Sequence, residues 1–95
     1  MNANIPNSTR RKVYARDGYR CALCDCSQHL QVHHVIPRGQ GGSYSTHNLN
    51  TLCATCHGQA HGIDLTQDLT AEYMNQLCVE YLADYYAPNW DPWKD

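Results

Sequence analysis

The strongest periodicity lies near the end of the chain, where Leu69, Tyr73, Leu77, Tyr81 and Tyr85 recur every fourth position. With Met74, Cys78 and Leu82 beside them they form a wide apolar stripe at helical spacing. The pattern predicts a long helix from about residue 68 or 70 to 86, stopped by Pro88. Near the start, Ser8 or Thr9 can cap a shorter helix reaching about Arg16, with Val13 and Tyr14 facing inward and Asp17-Gly18 as the stop. Residues 1–7 read as a loose arm. Between Tyr19 and Pro37, strand-like and turn-forming residues alternate, which predicts a hairpin whose second strand is about residues 30–36. "RGQGGSYST" is a glycine-rich loop, and "NLNTLCATCHGQAHG" predicts a second short helix closed by Gly62. Side chains alternate between faces along a strand. That rule groups His34 with Leu30, Val32 and Ile36 on the more apolar face and leaves the adjacent His33 on the exposed one.

A chain of 95 residues makes one domain with a small core, and such chains often need a staple. Six cysteines and six histidines make metal the first candidate. "MNANIPNSTRRK" has charge but no apolar run behind it, so no export signal is expected, and no apolar stretch is long enough for a membrane span. A reducing, cytoplasmic setting follows, in which paired thiols point to metal rather than to disulfides. The net charge of −2 hides a polarised chain: residues 1–38 carry +4 and residues 39–95 carry −6. A basic half suits phosphates, and a merely solvated surface explains it equally well.

"CALC" and "CATC" place Cys21, Cys24, Cys53 and Cys56 in two C-x2-C knuckles, each able to present two thiolates to one tetrahedral Zn²⁺. The 28 residues between the knuckles exceed the usual short spacing, and a hairpin and loop account for them. A closed four-thiolate site has no position for substrate, so it stabilises folding rather than catalyses. Cys26 reads as a free thiol and Cys78 as a core residue of the long helix. His57 follows the second knuckle at once and His61 comes four residues later, a pair that shares a helix face and can chelate one ion. With His33 added, three imidazoles point to a second, catalytic metal.

The segments "RDGYRCALC", "VHHVIPRGQGG" and "NLNTLCATCHGQAH" together resemble the HNH endonuclease family. The likeness runs from about residue 10 to 62 and links a cysteine pair, a histidine pair with Ile-Pro, Gly-Gly, an Asn-Leu and C-x2-C-H-x3-H. It implies a small α+β fold, the ββα-metal finger. To this the chain adds the two-knuckle zinc site, a short N-terminal helix and a long C-terminal one. The resulting organisation is a single nuclease domain over 1–95, with an arm (1–7), the family core (8–62) and a C-terminal helix and aromatic tail (63–95). The family's three letters fall on His34, Asn48 and His57. The resemblance implies hydrolysis or nicking of DNA to 5′-phosphate and 3′-hydroxyl ends. His34 would be the general base, neutral at pH 7 with an ordinary imidazole pKa. His33, His57 and His61 would hold one divalent ion, and Asn48 would brace the loop that orients His34.

Many relatives carry Asp where this chain has His33. An imidazole favours transition metals over Mg²⁺, so activity with Mn²⁺, Ni²⁺, Co²⁺ or Zn²⁺ should at least match that with Mg²⁺. Arg10, Arg11, Lys12 and Arg16, with Arg38 past the catalytic strand, are candidate phosphate contacts. His29 and His47 receive no role. The acidic, Tyr-rich C-terminal third falls outside the likeness and could cover the core, pair with another copy or stack on bases. A homodimer or a larger phage or bacterial assembly stays open. The leading alternative is a zinc-stapled DNA-binding module without chemistry.

Overall fold

The computed structural model describes residues 5–62 and 70–92, and of Arg38 the backbone alone. The elements are α1 (Asn7–Arg16), β1 (Leu30–His34), β2 (Leu49–Cys53), α2 (Ala54–Ala60) and α3 (Ala71–Tyr85). β1 and β2 form an antiparallel pair in the register Leu30↔Cys53 to His34↔Leu49. β2 runs directly into α2, so the central unit is the expected ββα finger inside a small α+β fold. One cluster (Ile5, Val13, Val32, Leu49) fills the space between α1 and the sheet. A second joins Leu52 and the buried cysteines to Met74, Cys78 and Leu82 of α3.

The partner of β1 differs from expectation. It is β2 from beyond the glycine-rich loop, not a strand within residues 19–29. Those residues are taken up by the first knuckle, where Cys21 N donates to Cys26 O (2.8 Å) and Asp25 N to Cys21 O (3.0 Å). Positive φ at Tyr19, Asp25 and His29 (57°, 65° and 54°) also breaks extended pairing. "LNTLC", expected in a helix, is instead a strand with all five residues buried. Packed on both faces, it has no alternation to signal a strand. The arm ends earlier than expected too: Ile5 is buried and α1 starts at Asn7. Ser8 and Thr9 lie inside α1, and the residue before it, Pro6, provides no side-chain cap.

Thr70 caps α3 by accepting from Tyr73 N (3.0 Å). The buried seam is Met74, Cys78 and Leu82, while Tyr73 and Tyr85 are 51% and 54% exposed. The helix is therefore turned one position from the expected stripe; Leu69 lies outside the described residues. A two-stranded sheet and a two-turn helix cover only a narrow face of α3, so the tyrosines end at its margins. Tyr86 stacks on His47 with ring centroids 4.0 Å apart, and Trp90 Nε1 donates to His47 O (2.8 Å). Of the three expected uses of the tail, these contacts show core cover. Among the described residues no helix is long and apolar enough to cross a membrane.

Arg16 and Asp17 tie the layers together. The Asp17 carboxylate receives Arg16 Nε and Nη2 (2.8 and 2.9 Å), Thr51 N of β2 (2.8 Å) and the Tyr81 hydroxyl of α3 (2.7 Å). Arg16 also donates to Thr46 O and Leu49 O (each 2.6 Å) and to the Tyr86 hydroxyl (3.1 Å). All five guanidinium N–H groups thus have partners inside the protein. Burial alone would lower the Arg16 pKa, but the bond to Asp17 and its charge raise it overall.

Candidate metal centres and the groove between them

The two knuckles meet. The sulfurs of Cys21, Cys24, Cys53 and Cys56 all lie within 4.8 Å of one another, with Cys24 Sγ and Cys53 Sγ 3.6 Å apart. Two thiolates on one tetrahedral ion, each at about 2.3 Å, stand about 3.8 Å apart, so the donor set fits a metal ion such as zinc. Backbone amides point at the cluster: Leu23 N donates to Cys21 Sγ (3.4 Å) and Cys56 N to Cys53 Sγ (3.5 Å). Burial and the neighbouring Cys21 push the Cys56 thiol well up, and burial raises Cys24 as well. Against the push of its own burial, the Cys56 amide and the adjoining thiols lower Cys53. Such a set resists full ionisation until a cation joins it. Cys26 lies outside the cluster, and Cys78 is buried in the core, with its thiol raised to about 11 by burial.

The second cluster is built by β1 and α2. His33, buried to 3% exposure, meets His57 and His61, one ring nitrogen of each lying within 4.8 Å of the others. His57 Nε2 and His61 Nε2 are 3.2 Å apart. Two imidazole nitrogens at about 2.05 Å from one tetrahedral ion would be separated by about 3.3 Å. The i, i+4 spacing on α2 turns both rings to one side, and His33 closes on them edge-on, with centroids at 5.2 and 5.5 Å. His33 Nε2 bonds Asn75 Oδ1 (2.9 Å), while its Nδ1 is buried with no hydrogen-bond partner. A buried ring nitrogen without a hydrogen-bond partner, in a ring packed against two other imidazoles, fits a metal ligand. Burial, and then the neighbouring His57 and His61, hold His33 down at about 4 against the opposing bond to Asn75. Burial and His61 also lower His57. Both rings are thus neutral at pH 7, the form that binds metal.

Alternation alone would have exposed His33 and buried His34. The structure buries His33 and leaves His34 half-buried, because α2 packs on the His33 side of β1 and Asn75 of α3 bonds His33 there. His34 ends β1, half-buried, its ring 5.7 Å from that of Tyr44. Beyond it, Asn48 Oδ1 accepts from Ile36 N (2.8 Å), and Asn48 Nδ2 donates to Ile36 O (3.1 Å) and Ser43 O (3.0 Å). This fully buried amide holds both ends of the glycine-rich loop. Gly42 lets the loop close, since a Cβ there would stand 1.7 Å from Ile36 O. His33, His34, His57 and His61 line one cavity of about 840 Å³, together with Arg10 and Asn75.

The predicted phosphate contacts divide. Arg10 is half-buried and lines the cavity, while Arg11 and Lys12 are exposed on α1. Arg16 is corrected: its side chain is 7% exposed and its donors are all engaged internally, so it is a structural clasp. The side chain of Arg38 lies outside the described atoms. Two residues at the site went unnoticed in the sequence: Asn75 of α3, and Gln31, whose Oε1 contacts His57 Nδ1. Gln31 had a signal, standing two positions before His33 on the same strand face. Asn75 had none, because nothing local places α3 against β1.

The HNH endonuclease family model matches residues 21–62. Anaredoxin of Nostoc sp. (strain PCC 7120 / SAG 25.82 / UTEX 2576) is 33% identical over 61 residues, which cover 63% of this chain and 80% of that protein. The type IV methyl-directed restriction enzyme EcoKMcrA of Escherichia coli (strain K12) is 46% identical over 39 residues, 41% of this chain and 14% of that enzyme. The matched segment of the family model contains both knuckles, both strands, α2 and all three clustered histidines.

Proposed function

The chain belongs to the HNH endonuclease family, and from that premise we propose that it hydrolyses or nicks DNA, with His34 as general base and one divalent ion held by His33, His57 and His61. The observation that carries this reading is the convergence of four histidines on one cavity, three of them with a ring nitrogen within 4.8 Å of the others. His34 stands next to the ligand set without belonging to it and lines the same cavity, where its ring would take a proton from an attacking water. Asn48 fixes the backbone just beyond His34 and so its direction. His33, His57 and His61 hold the ion without adding negative charge to the site. When bound, the ion neutralises charge on the phosphate and on the leaving 3′ oxygen. The deprotonated water bonds phosphorus as the P–O3′ bond breaks, and the departing 3′ oxygen takes a proton from solvent, leaving 3′-hydroxyl and 5′-phosphate ends. Arg10 in the cavity and the exposed Arg11 and Lys12 supply sequence-independent phosphate contacts. The four cysteines would hold a structural Zn²⁺ that ties the two knuckles together.

The test is cleavage of supercoiled plasmid with mapped ends, across Mg²⁺, Mn²⁺, Co²⁺, Ni²⁺ and Zn²⁺, for wild type and His34→Ala. The expected result is metal-dependent nicking that His34→Ala abolishes while its ion uptake persists. With three imidazoles as ligands, transition metals should at least match Mg²⁺. Activity confined to Mg²⁺ would sink the ligand assignment. DNA binding without cleavage under any metal would favour an inactive DNA-binding module.

A further inference from the structure

The long helix α3 lies outside the segment matched by the family model, yet one of its side chains reaches the histidine cluster. Asn75 Nδ2 donates to Ala60 O at the end of α2 and to Ala71 O one turn back, both at 3.0 Å. Those two bonds fix which way the amide faces and leave Oδ1 as an acceptor. It lies 2.9 Å from His33 Nε2. A carbonyl oxygen can only accept, so Nε2 carries the ring proton and Nδ1 carries the lone pair. That Nδ1 is the buried nitrogen without a partner. On the other side, the Gln31 Oε1 contact claims His57 Nδ1 and leaves Nε2 of that ring facing His61.

We propose that Asn75 is a positioning residue for the catalytic ion: by accepting a hydrogen bond from Nε2–H of His33, it holds this buried imidazole in the one tautomer whose Nδ1 can ligate. Gln31 does the same for His57. The inference rests on the reading of His33, His57 and His61 as metal ligands. Both acceptors are neutral amides, whereas a carboxylate would place a negative charge beside the ligands. The amides set tautomer and ring direction while leaving the ion its full positive charge toward the anionic phosphate. They also explain why α3 is part of the functional unit. Its seam buries Met74, Cys78 and Leu82, and that packing delivers Asn75 to His33.

The experiment uses the full chain with its cysteine site loaded with zinc, and reads Ni²⁺ uptake by calorimetry and histidine ring tautomers by ¹⁵N NMR before Ni²⁺ is added. Wild-type His33 should appear as the Nε2–H form. Asn75→Ala should lose that preference and bind Ni²⁺ some 10- to 100-fold more weakly. Asn75→Asp keeps the acceptor and loses the two donor bonds to Ala60 and Ala71. It should therefore retain the tautomer and recover Ni²⁺ affinity to wild-type level or better. Were Asn75 only a tie between helices, the two variants would weaken alike, which overturns the proposal. So does unchanged affinity and tautomer in Asn75→Ala. If wild type takes up no second ion, the metal reading fails, and the ¹⁵N spectrum still decides whether Asn75 sets the His33 tautomer.

Discussion

Replacing Asp17 by Asn should cost this small domain about 3 kcal/mol. The carboxylate is fully buried and receives two bonds from Arg16, one from the Thr51 amide and one from the Tyr81 hydroxyl. Asparagine keeps the shape and one acceptor oxygen, but it turns an N–H₂ toward donors and leaves the Arg16 cation uncompensated. Breaking a buried pair at one partner costs roughly 3–5 kcal/mol. The carbonyls of Thr46 and Leu49 still hold the guanidinium, which argues for the lower end. A domain of this length has about 5–14 kcal/mol in total, so the loss is a large share. Urea unfolding of the metal-loaded protein, followed by Trp fluorescence, should show the midpoint falling by about 1–3 M. A loss below about 1 kcal/mol would refute the reasoning, since it would mean that solvent screens the pair. The same clasp predicts what Arg16 does not do. In DNA-binding titrations, Arg16→Gln should lower stability yet leave the salt dependence unchanged. The exposed Arg11 and Lys12 should each flatten the slope by about 0.9 when changed to Ala. A slope reduced by about 0.9 in folded Arg16→Gln protein would restore Arg16 as a phosphate contact.

Three further outcomes are expected. Stripping the cysteine site with a strong chelator should unfold the chain, read as loss of far-UV circular dichroism reversed by Zn²⁺; retained helicity would show that the core stands without the staple. Gly42→Ala should destabilise by at least about 2 kcal/mol, because a Cβ 1.7 Å from Ile36 O must push backbone aside; an unfolding midpoint equal to wild type would contradict the close approach. With no ion on the histidines, His33 stays neutral in the folded state down to about pH 4. The unfolded chain takes up that proton near 6.5, so between those values the unfolded state binds more protons and stability falls as pH drops. The slope reaches about 1.4 kcal/mol per pH unit for this group. Replacing His33 by Gln should flatten the profile over that window, and a profile indifferent to the substitution would count against the burial of His33.

Local chemistry at fixed spacing was readable directly from the residues. C-x2-C twice, H-x3-H on a helix and the Asn-Leu fourteen residues past His34 all describe groups that a single turn, helix or loop brings together. For such groups, sequence distance sets spatial distance. The existence of α3 was equally legible, because a 3.6-residue repeat needs no partner to be recognised, and α1 was announced by its Asp17-Gly18 stop. What pairs with what was decided only by tertiary structure. β1 chose a strand across the glycine-rich loop, β2 lost its alternation by being covered on both faces, and α3 turned one position so that a narrow seam met the sheet. The same packing buried His33, left His34 half-buried and drew Arg16 inside. It also placed Asn75, 42 residues along the chain, against His33. The pair "HH" names two imidazoles, but that His33 is buried beside His57 and His61 while His34 is half-buried beside Tyr44 depends on the elements that cover each face of β1. That burial is a property of non-local packing, and no local pattern encodes it.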